Sequence, residues 1–367
     1  MDIYRKIAIL IIVILFSYIL YRLFKKRVEI MNESKVEGFT PNDSYVLAIQ
    51  KANTLNVNIQ NMPKKYYTKP LNKFYIMGAY GGGFDGANVS ADMLLYTLSL
   101  GYRYMAINVF YDVVNNSAAE NPSTVQTTSP TAMVGFSSLY NPMENIAGHT
   151  IALSDFLELI QQNAFSTNSP NPGDPFFLHI LPGYKTAASG TGGSDDNTSK
   201  MASKGYNTQL NSQIEQALTL IRETNRSSGQ ITENTPISSI LGQIVVVMDG
   251  DSTAGNITTN LQNMIGLNIP SSSLLMAASF QEGKPNEPGF NIVLPFGENG
   301  SILNSIPPYT TLYDKYKINV TAVCPWETRF VFTSSILGPS NLGDYEKMFY
   351  NEGSSAFRVL RLIDDPH

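Results

Sequence analysis

Eight short apolar runs, spread from residue 74 to residue 363, limit this chain more than any other feature. They are FYIM (74–77), RYMAINVF (103–110), TAMVGF (131–136), PFFLHIL (175–181), IVVVM (244–248), LLMAASF (274–280), INVTAV (318–323) and AFRVLRLI (356–363). Most are uncharged, and their hydrophobicity is continuous, not alternating, as in strands buried on both faces. Helical patterns lie between several of them. SADMLLYTLSLG (90–101) opens on a Ser cap and closes on Gly. SDFLELIQQNAF (154–165) has a Ser cap and apolar residues at helical spacing, and NTQLNSQIEQALTLIRET (207–224) is the longest and most amphipathic. Strands alternating with helices predict an α/β fold, a (β/α)8 barrel of the TIM type. A doubly wound open sheet is the competitor, which periodicity alone does not separate. The stretch TAASGTGGSDDNTSK (186–200) reads as a flexible surface loop.

The N-terminus sets a second constraint. Ile7 to Tyr21 is uncharged (IAILIIVILFSYILY), and Leu23 and Phe24 extend it past Arg22. About 17 helical residues span roughly 25 Å, which snorkelling by Lys6 and Arg22 brings up to a bilayer core of about 30 Å. A cleaved signal peptide is the alternative. Against it, no small-x-small cleavage site follows, and the segment runs instead into Arg22, Lys25, Lys26 and Arg27. The expected organisation is a short tail (1–6), a transmembrane helix (7–24), a polar spacer (25–70) and the barrel (71–367). Within the spacer, SYVLAIQKANTLNVNIQNM (44–62) is apolar enough to pack on the barrel. The cations after the helix outnumber Arg5 and Lys6 before it, which predicts a single-pass protein with its C-terminal part facing the cytoplasm.

Composition narrows the function. A formal charge of −5 leaves no basic footprint for nucleic acid. The single cysteine, Cys324, excludes an intramolecular disulfide and a thiolate zinc site, and points to a reducing compartment.

The order of these elements resembles the X and Y barrel of phosphoinositide-specific phospholipase C. FYIMGAYGGGF (74–84) sits where that family has a strand followed by Ser-His-Asn-Thr-Tyr, and LGYRYMAINVFYD (100–112) where it has a Glu-x-Asp pair on a strand. GHTIALSDFLELIQQNAF (148–165) with DPFFLHI (174–180) is similar to the family's Gly-His-Thr, helix and Glu-bearing strand. PISSILGQIVVVMDGD (236–251), AVCPWETRF (322–330) and YNEGSSAFRVLRLI (350–363) resemble the Y half. The resemblance implies two histidines as acid and base, and a Ca²⁺ held by Asn, Glu, Asp and Glu. Carried across, nearly every role is vacant. Tyr80 stands for the first histidine and Gly81 for the calcium Asn. Ala106 and Asn108 replace the Glu-x-Asp pair. Ala147, or Met143 in an ungapped match, stands for the second histidine. Ile180 stands for the last calcium Glu, and Val247 and Asp249 for the phosphate lysines. Arg329 alone keeps the family's substrate-contacting residue, a candidate for anion binding through its bidentate fork.

Other residues carry two readings each. GAYGGGFDG (78–86) is a phosphate cradle or a plain turn, and lacks the Gly-Lys-Ser/Thr of a P-loop. His179 is a satisfied core histidine or a catalytic one; His149 is a loop residue or a base. Asp249 and Asp251 are an ion site at a strand's C-terminal end or a turn. Trp326 and Tyr345 pack beside Arg329 or serve the core. The expected function is therefore a membrane-anchored, catalytically inactive barrel, structural or binding, without cofactor. Its partners would be the lipid bilayer with a protein or an anionic headgroup. The resemblance extends to divergent proteins of large DNA viruses, which implies a virion-membrane or capsid-bridging setting. The alternative is an active phosphodiesterase with a site rebuilt from His179, Asp249, Asp251 or Arg329, with calcium under that reading only.

Overall fold

The apolar runs become strands because each has both faces covered. Every residue of β1 (Phe74–Tyr80) and of β6 (Ile244–Met248) is buried, and so are the first seven of β2 (Tyr104–Asp112) and the first five of β5 (Phe176–Pro182). The computed structural model describes residues 59–112, 129–138, 144–185, 196–227, 230–250, 257–270, 274–276, 290–296, 318–325, 349 and 355–359, all within one compact unit, Ala48–His367. The expected transmembrane segment 7–24 lies outside them. Among the described residues no helix is long and apolar enough to cross a membrane.

The remaining strands are β3 (Thr131–Gly135), β4 (Ile151–Ala152), β7 (Leu267–Asn268), β8 (Leu274–Met276), β9 (Ile292–Leu294), β10 (Val320–Val323) and β11 (Phe357–Val359). Eight of the eleven run parallel in the order β7-β6-β5-β2-β1-β10-β9-β8. Each lies beside its predecessor in the chain, except that the two edges, β7 and β8, are consecutive. Seven strand spacings of about 4.8 Å would part the edges of a flat sheet by about 34 Å. The chain from Asn268 to Leu274 reaches at most about 21 Å. The sheet is therefore curled, with the cyclic strand order of a TIM-like barrel. A ring contact across its concave face agrees. Phe177 of β5 lies 6.1 Å from Phe290, just before β9 and four strands away, where a flat sheet would give about 19 Å.

Two of the eight expected strands are not barrel strands. β3 pairs antiparallel with β2 (Asn108↔Gly135 to Asp112↔Thr131), and β11 pairs antiparallel with the start of β1 (Phe74↔Val359 to Ile76↔Phe357). Their places in the parallel set are taken by β7 and β9, which are two and three residues long, too short for a periodicity to register.

Three helices sit near their expected positions and depart in detail. The helix α1 (Ala91–Ser99) has the expected cap, Ser90 Oγ accepting from Met93 N, and ends at Gly101 with φ +86°. The helix α2 (Leu153–Asn163) is not capped by Ser154. Ile151 and Ala152 are held extended against β3, and the chain turns into the helix two residues earlier, with Ala152 at the cap. The helix α3 spans Asp196–Thr219, so its first turns occupy part of the stretch expected to be a loop. Its register is fixed by tertiary bonds: Asn207 meets both backbone groups of Lys185, and Tyr184 Oη donates to Asn211 Oδ1. Weak local propensity yields to such contacts. A short α4 (Thr259–Met264) links β6 to β7.

The body also begins earlier than residue 71. Ile59 and Met62 are buried, with Ile59 packed on Gly101, where a Cβ would meet Ile59 at 2.8 Å. Asn61 Oδ1 accepts from Gly173 N, and Asp174 Oδ1 accepts from Met62 N at 2.8 Å. Asp174 and its neighbour Arg103 are both buried. Arg103 Nη2 is ringed by the carbonyls of Ala164 and Asn171 and by Ser169 Oγ and Asn171 Oδ1. Burial lowers the Arg103 pKa to about 10, opposed by Asp174. Burial raises that of Asp174 to about 6, opposed by the Met62 bond and by Arg103.

Because the folded Asp174 holds its proton more tightly than the unfolded chain does, its contribution is full below about pH 4 and is lost as pH rises to about 6. Asp174→Asn removes this slope. Urea midpoints of the two chains from pH 4 to 7 should diverge in favour of the variant by up to about 3 kcal/mol. Parallel curves would show that Asp174 does not titrate in this range.

Candidate functional site

The interior face at the C-terminal ends of the strands is set by register. Tyr80 pairs with Ala106, Ala106 with His179 and His179 with Val247, so these four side chains share a face. Tyr80 meets the Phe296 ring at 5.1 Å, which identifies that face as the concave one. Ile180 pairs with Ile107 and points the other way, under the helices. The position read as the last calcium ligand is thus outside the interior set, where His179 and Leu181 stand instead.

Above Tyr80, β1 ends and β3 takes its place beside β2, the pair Asn108↔Gly135 following Tyr80↔Ala106. This folds Phe136 and Ser137 over the mouth. The Tyr80 hydroxyl lies 2.8 Å from Asn108 Oδ1 and 2.8 Å from the Ser137 carbonyl, two acceptors for one proton. Ser137 N donates to the same Asn108 oxygen at 3.0 Å, while Asn108 Nδ2 is buried without a partner. Rings fill the surrounding space. Phe84 stacks on Phe136 at 3.9 Å, and Tyr80 meets Phe136 edge-on at 5.7 Å. Phe84, Phe136 and Phe296 are at most 5% exposed and Tyr80 is fully buried. Asn145 Oδ1 pins the overlying loop by accepting from Phe136 N and Ala147 N, and half-buried Ala147 brings only a methyl group.

Deeper in the barrel, Tyr104 Oη lies 2.7 Å from His179 Nδ1. Burial lowers the His179 pKa to about 3, opposed by Asp249, so the ring is neutral at physiological pH. Which atom donates across this contact follows the tautomer of the ring. Burial raises the Tyr80 and Tyr104 hydroxyls far above the range where phenolate forms. Burial also raises Tyr184 to about 12, with Asn211 opposing and Asp249 adding. Asp249 is half-buried at the end of β6, near enough for its charge to act on both groups.

The remaining expected residues are placed as follows. Gly81 takes φ +61° and turns the chain: its N–H goes to the Ala106 carbonyl and its carbonyl to Phe84 N, so the glycine loop is a tied, buried turn. His149 is exposed, its carbonyl accepting from Val89 N. Asp251, Arg329, Met143, Trp326 and Tyr345 lie outside the described residues. Sequence reasoning missed Tyr104, Ser137 and the three phenylalanines. Strand alternation through Tyr104, Ala106 and Asn108 would have found the first.

Calcium does not fit the described donors. The ion takes six to eight oxygens with carboxylates among them. Gly81 and Ala106 offer no side-chain oxygen, Ile180 faces away, and Asn108 Oδ1 is engaged twice over. Among the described residues no group of three His, Cys, Asp or Glu is placed to hold a metal.

No family model and no curated protein matches the chain. Its structure is similar to that of PLC21 from L. pealei, with TM-score 0.47 and 11% identity over 82% of this chain and 39% of that one. PLC21 from S. officinalis gives TM-score 0.46 and 11% identity over the same shares. A calcium-dependent phosphoinositol-specific phospholipase C from a Pseudomonas species gives TM-score 0.40 and 8% identity, covering 81% of this chain and 97% of that one. The chain spans about two fifths of the length of the two PLC21 proteins. The Pseudomonas protein carries the name of the family that the sequence resembles.

Tyr80→Phe removes the donor serving Ser137 and Asn108 and leaves buried acceptors short. It should lower unfolding stability by about 1–3 kcal/mol in urea melts; a change below a few tenths would show the hydroxyl to be idle. The ring of His179 should stay neutral to about pH 4 in nitrogen–proton correlation spectra, a titration near pH 6.5 showing it to be solvated.

Proposed function

We propose that this chain is a catalytically silent, phospholipase C-like closed barrel, held at a membrane by its N-terminal apolar segment and acting as a structural or binding surface. The observation that carries this reading is the mouth. An acid–base reaction on a phosphodiester needs a base that ionises near neutrality and an open face to admit substrate. Here Tyr80 occupies the first position with its proton committed to Ser137 and Asn108, under a lid of Phe84, Phe136 and Phe296. Among the described residues the one interior imidazole, His179, is buried and hydrogen-bonded to Tyr104. The apolar segment from Ile7 to Phe24 supports the tether, and a virion membrane is the setting the resemblance suggests.

The test is a phosphodiesterase assay on the full chain in phosphatidylinositol–detergent micelles, with and without Ca²⁺. Turnover should not exceed that of heat-denatured protein. Turnover well above it, abolished by His179→Ala or Asp249→Asn, would replace this reading with a rebuilt active site.

A further inference from the structure

Charge among the described residues divides between the two ends of the barrel. Because the eight sheet strands run the same way, residues that precede strands share one end and residues that follow them share the other. The end after the strands is acidic: Asp85, Asp92, Asp112, Glu144, Asp155 and Asp249 lie there at least partly exposed, with Lys185 and Lys204. The end before the strands is basic. Lys64, Lys65, Lys69 and Lys73 lead into β1, and Arg222 and Arg226 lie on the approach to β6. Exposed Glu223 and half-buried Glu233 are the acids there among the described residues. This polarity stands against a whole-chain charge of −5.

The lysines sit on a built surface. Leu71 N donates to Thr235 O and Asn72 N to Glu233 O, while Ile237 N and Ser238 N donate to the carbonyls of Lys69 and Tyr67. Tyr66 and Tyr67 sit together between Lys65 and Lys69, each with one side on the core and part of the ring exposed. Lys65 Nζ lies 4.9 Å from the centre of the Tyr66 ring. Cations flanking half-exposed tyrosines suit the headgroup layer of a bilayer, where an amphipathic ring and an ammonium both find partners. The earliest described residues, Ile59 to Met62, join the body at this same end, beside Gly101, Gly173 and Asp174.

From this we infer that the basic end is a docking face for anionic phospholipid headgroups, so that the barrel stands on the bilayer by the N-terminal ends of its strands with its sealed mouth turned away. The inference builds on the membrane-held reading above and adds an orientation and a lipid class to it.

The full chain, in a Cys324→Ala background, is labelled with a fluorophore at Thr68→Cys or at Ile146→Cys, one exposed site for each end. It is reconstituted into vesicles carrying headgroup-quencher lipid, of phosphatidylcholine alone or mixed with phosphatidylserine. On the mixed vesicles the Thr68 label should be quenched about three-fold more than the Ile146 label. The difference should vanish on neutral vesicles, at ~0.5 M salt, and in the triple variant Lys64→Glu, Lys65→Glu, Lys69→Glu. Equal or stronger quenching at Ile146 overturns the orientation. A chain that floats with the vesicles while neither label is quenched overturns docking and leaves the tether standing. A chain stripped by carbonate, yet quenched at Thr68 when anionic vesicles are added, removes the tether and supports docking. Release of the quenched label by single-stranded RNA at matched charge would assign the face to nucleic acid and overturn the lipid.

Discussion

The structure depends on the pairing of its first parallel strand with its last. β1 and β10 lie side by side from Ile76↔Val320 to Ala79↔Val323, closing a register across most of the chain's length. Gly78 permits this approach, since a Cβ there would meet Val320 Cγ1 at 2.6 Å and the Thr321 carbonyl at 3.3 Å. Asn319 Nδ2 donates to the Phe74 carbonyl at 2.9 Å and ties the start of β1 to the entry of β10. Curvature follows from that pairing: with β1 holding β2 on one side and β10 on the other, the remaining strands wrap toward each other until β7 and β8 are joined by a short link. Such non-local pairing is formed late and rewarded only once the long intervening loop is closed.

The two antiparallel additions do complementary work at the two ends of β1. β11 lies on its β2 side, below the start of β2, and β3 follows on beyond its end, in its place beside β2. Met77 N bonds to Ala356 below the start of β2, and Gly81 N bonds to Ala106 above it. β11 carries Phe357 against Phe74 and Phe177 at the base, while β3 carries Phe136 and Ser137 over the top. An interior left open for chemistry would keep unpaired polar groups and water. This one is filled from both ends with rings, and its buried polar atoms are mostly paired with one another. Asn108 Nδ2 is an exception, a buried donor without a partner among the described residues.

How much of this was legible in the sequence depended on run length. IVVVM and FYIMGAY are unbroken apolar strings, and buried parallel strands have no other signature. LN at β7 and IVL at β9 are too short to carry a period, so the count of eight came out right with two wrong members. TAMVGF has the composition of a buried strand and holds one at Thr131–Gly135, while within AFRVLRLI the strand is Phe357–Val359 with Phe357 buried; direction, which composition does not encode, sets both antiparallel to the barrel strands. At the site, Tyr80, Ala106 and Asn108 were legible as strand positions, and the register puts them on one face. Ile180 was misplaced because alternation turns a one-residue error of alignment into the opposite face. Tyr104 and Ser137, which give His179 and Tyr80 their partners, lie outside any motif and are found only through the curled sheet.

Sealing the mouth also changes what a membrane can ask of the barrel. A protein that acts on a bilayer-borne substrate must turn its open end toward the bilayer, whatever charge that end carries. Once the interior is core, that requirement lapses and orientation is left to surface electrostatics. The acids at Asp85, Asp112, Glu144 and Asp249 are then unfavourable neighbours for an anionic leaflet, and the lysines before β1 are favourable ones. Within a Debye length of about 8 Å the difference acts on whichever end is near, so a body tethered as proposed would settle on the basic one. On the proposed reading, a silent interior and a polar surface belong together, with an outer face in place of a concave site as the part that meets the membrane.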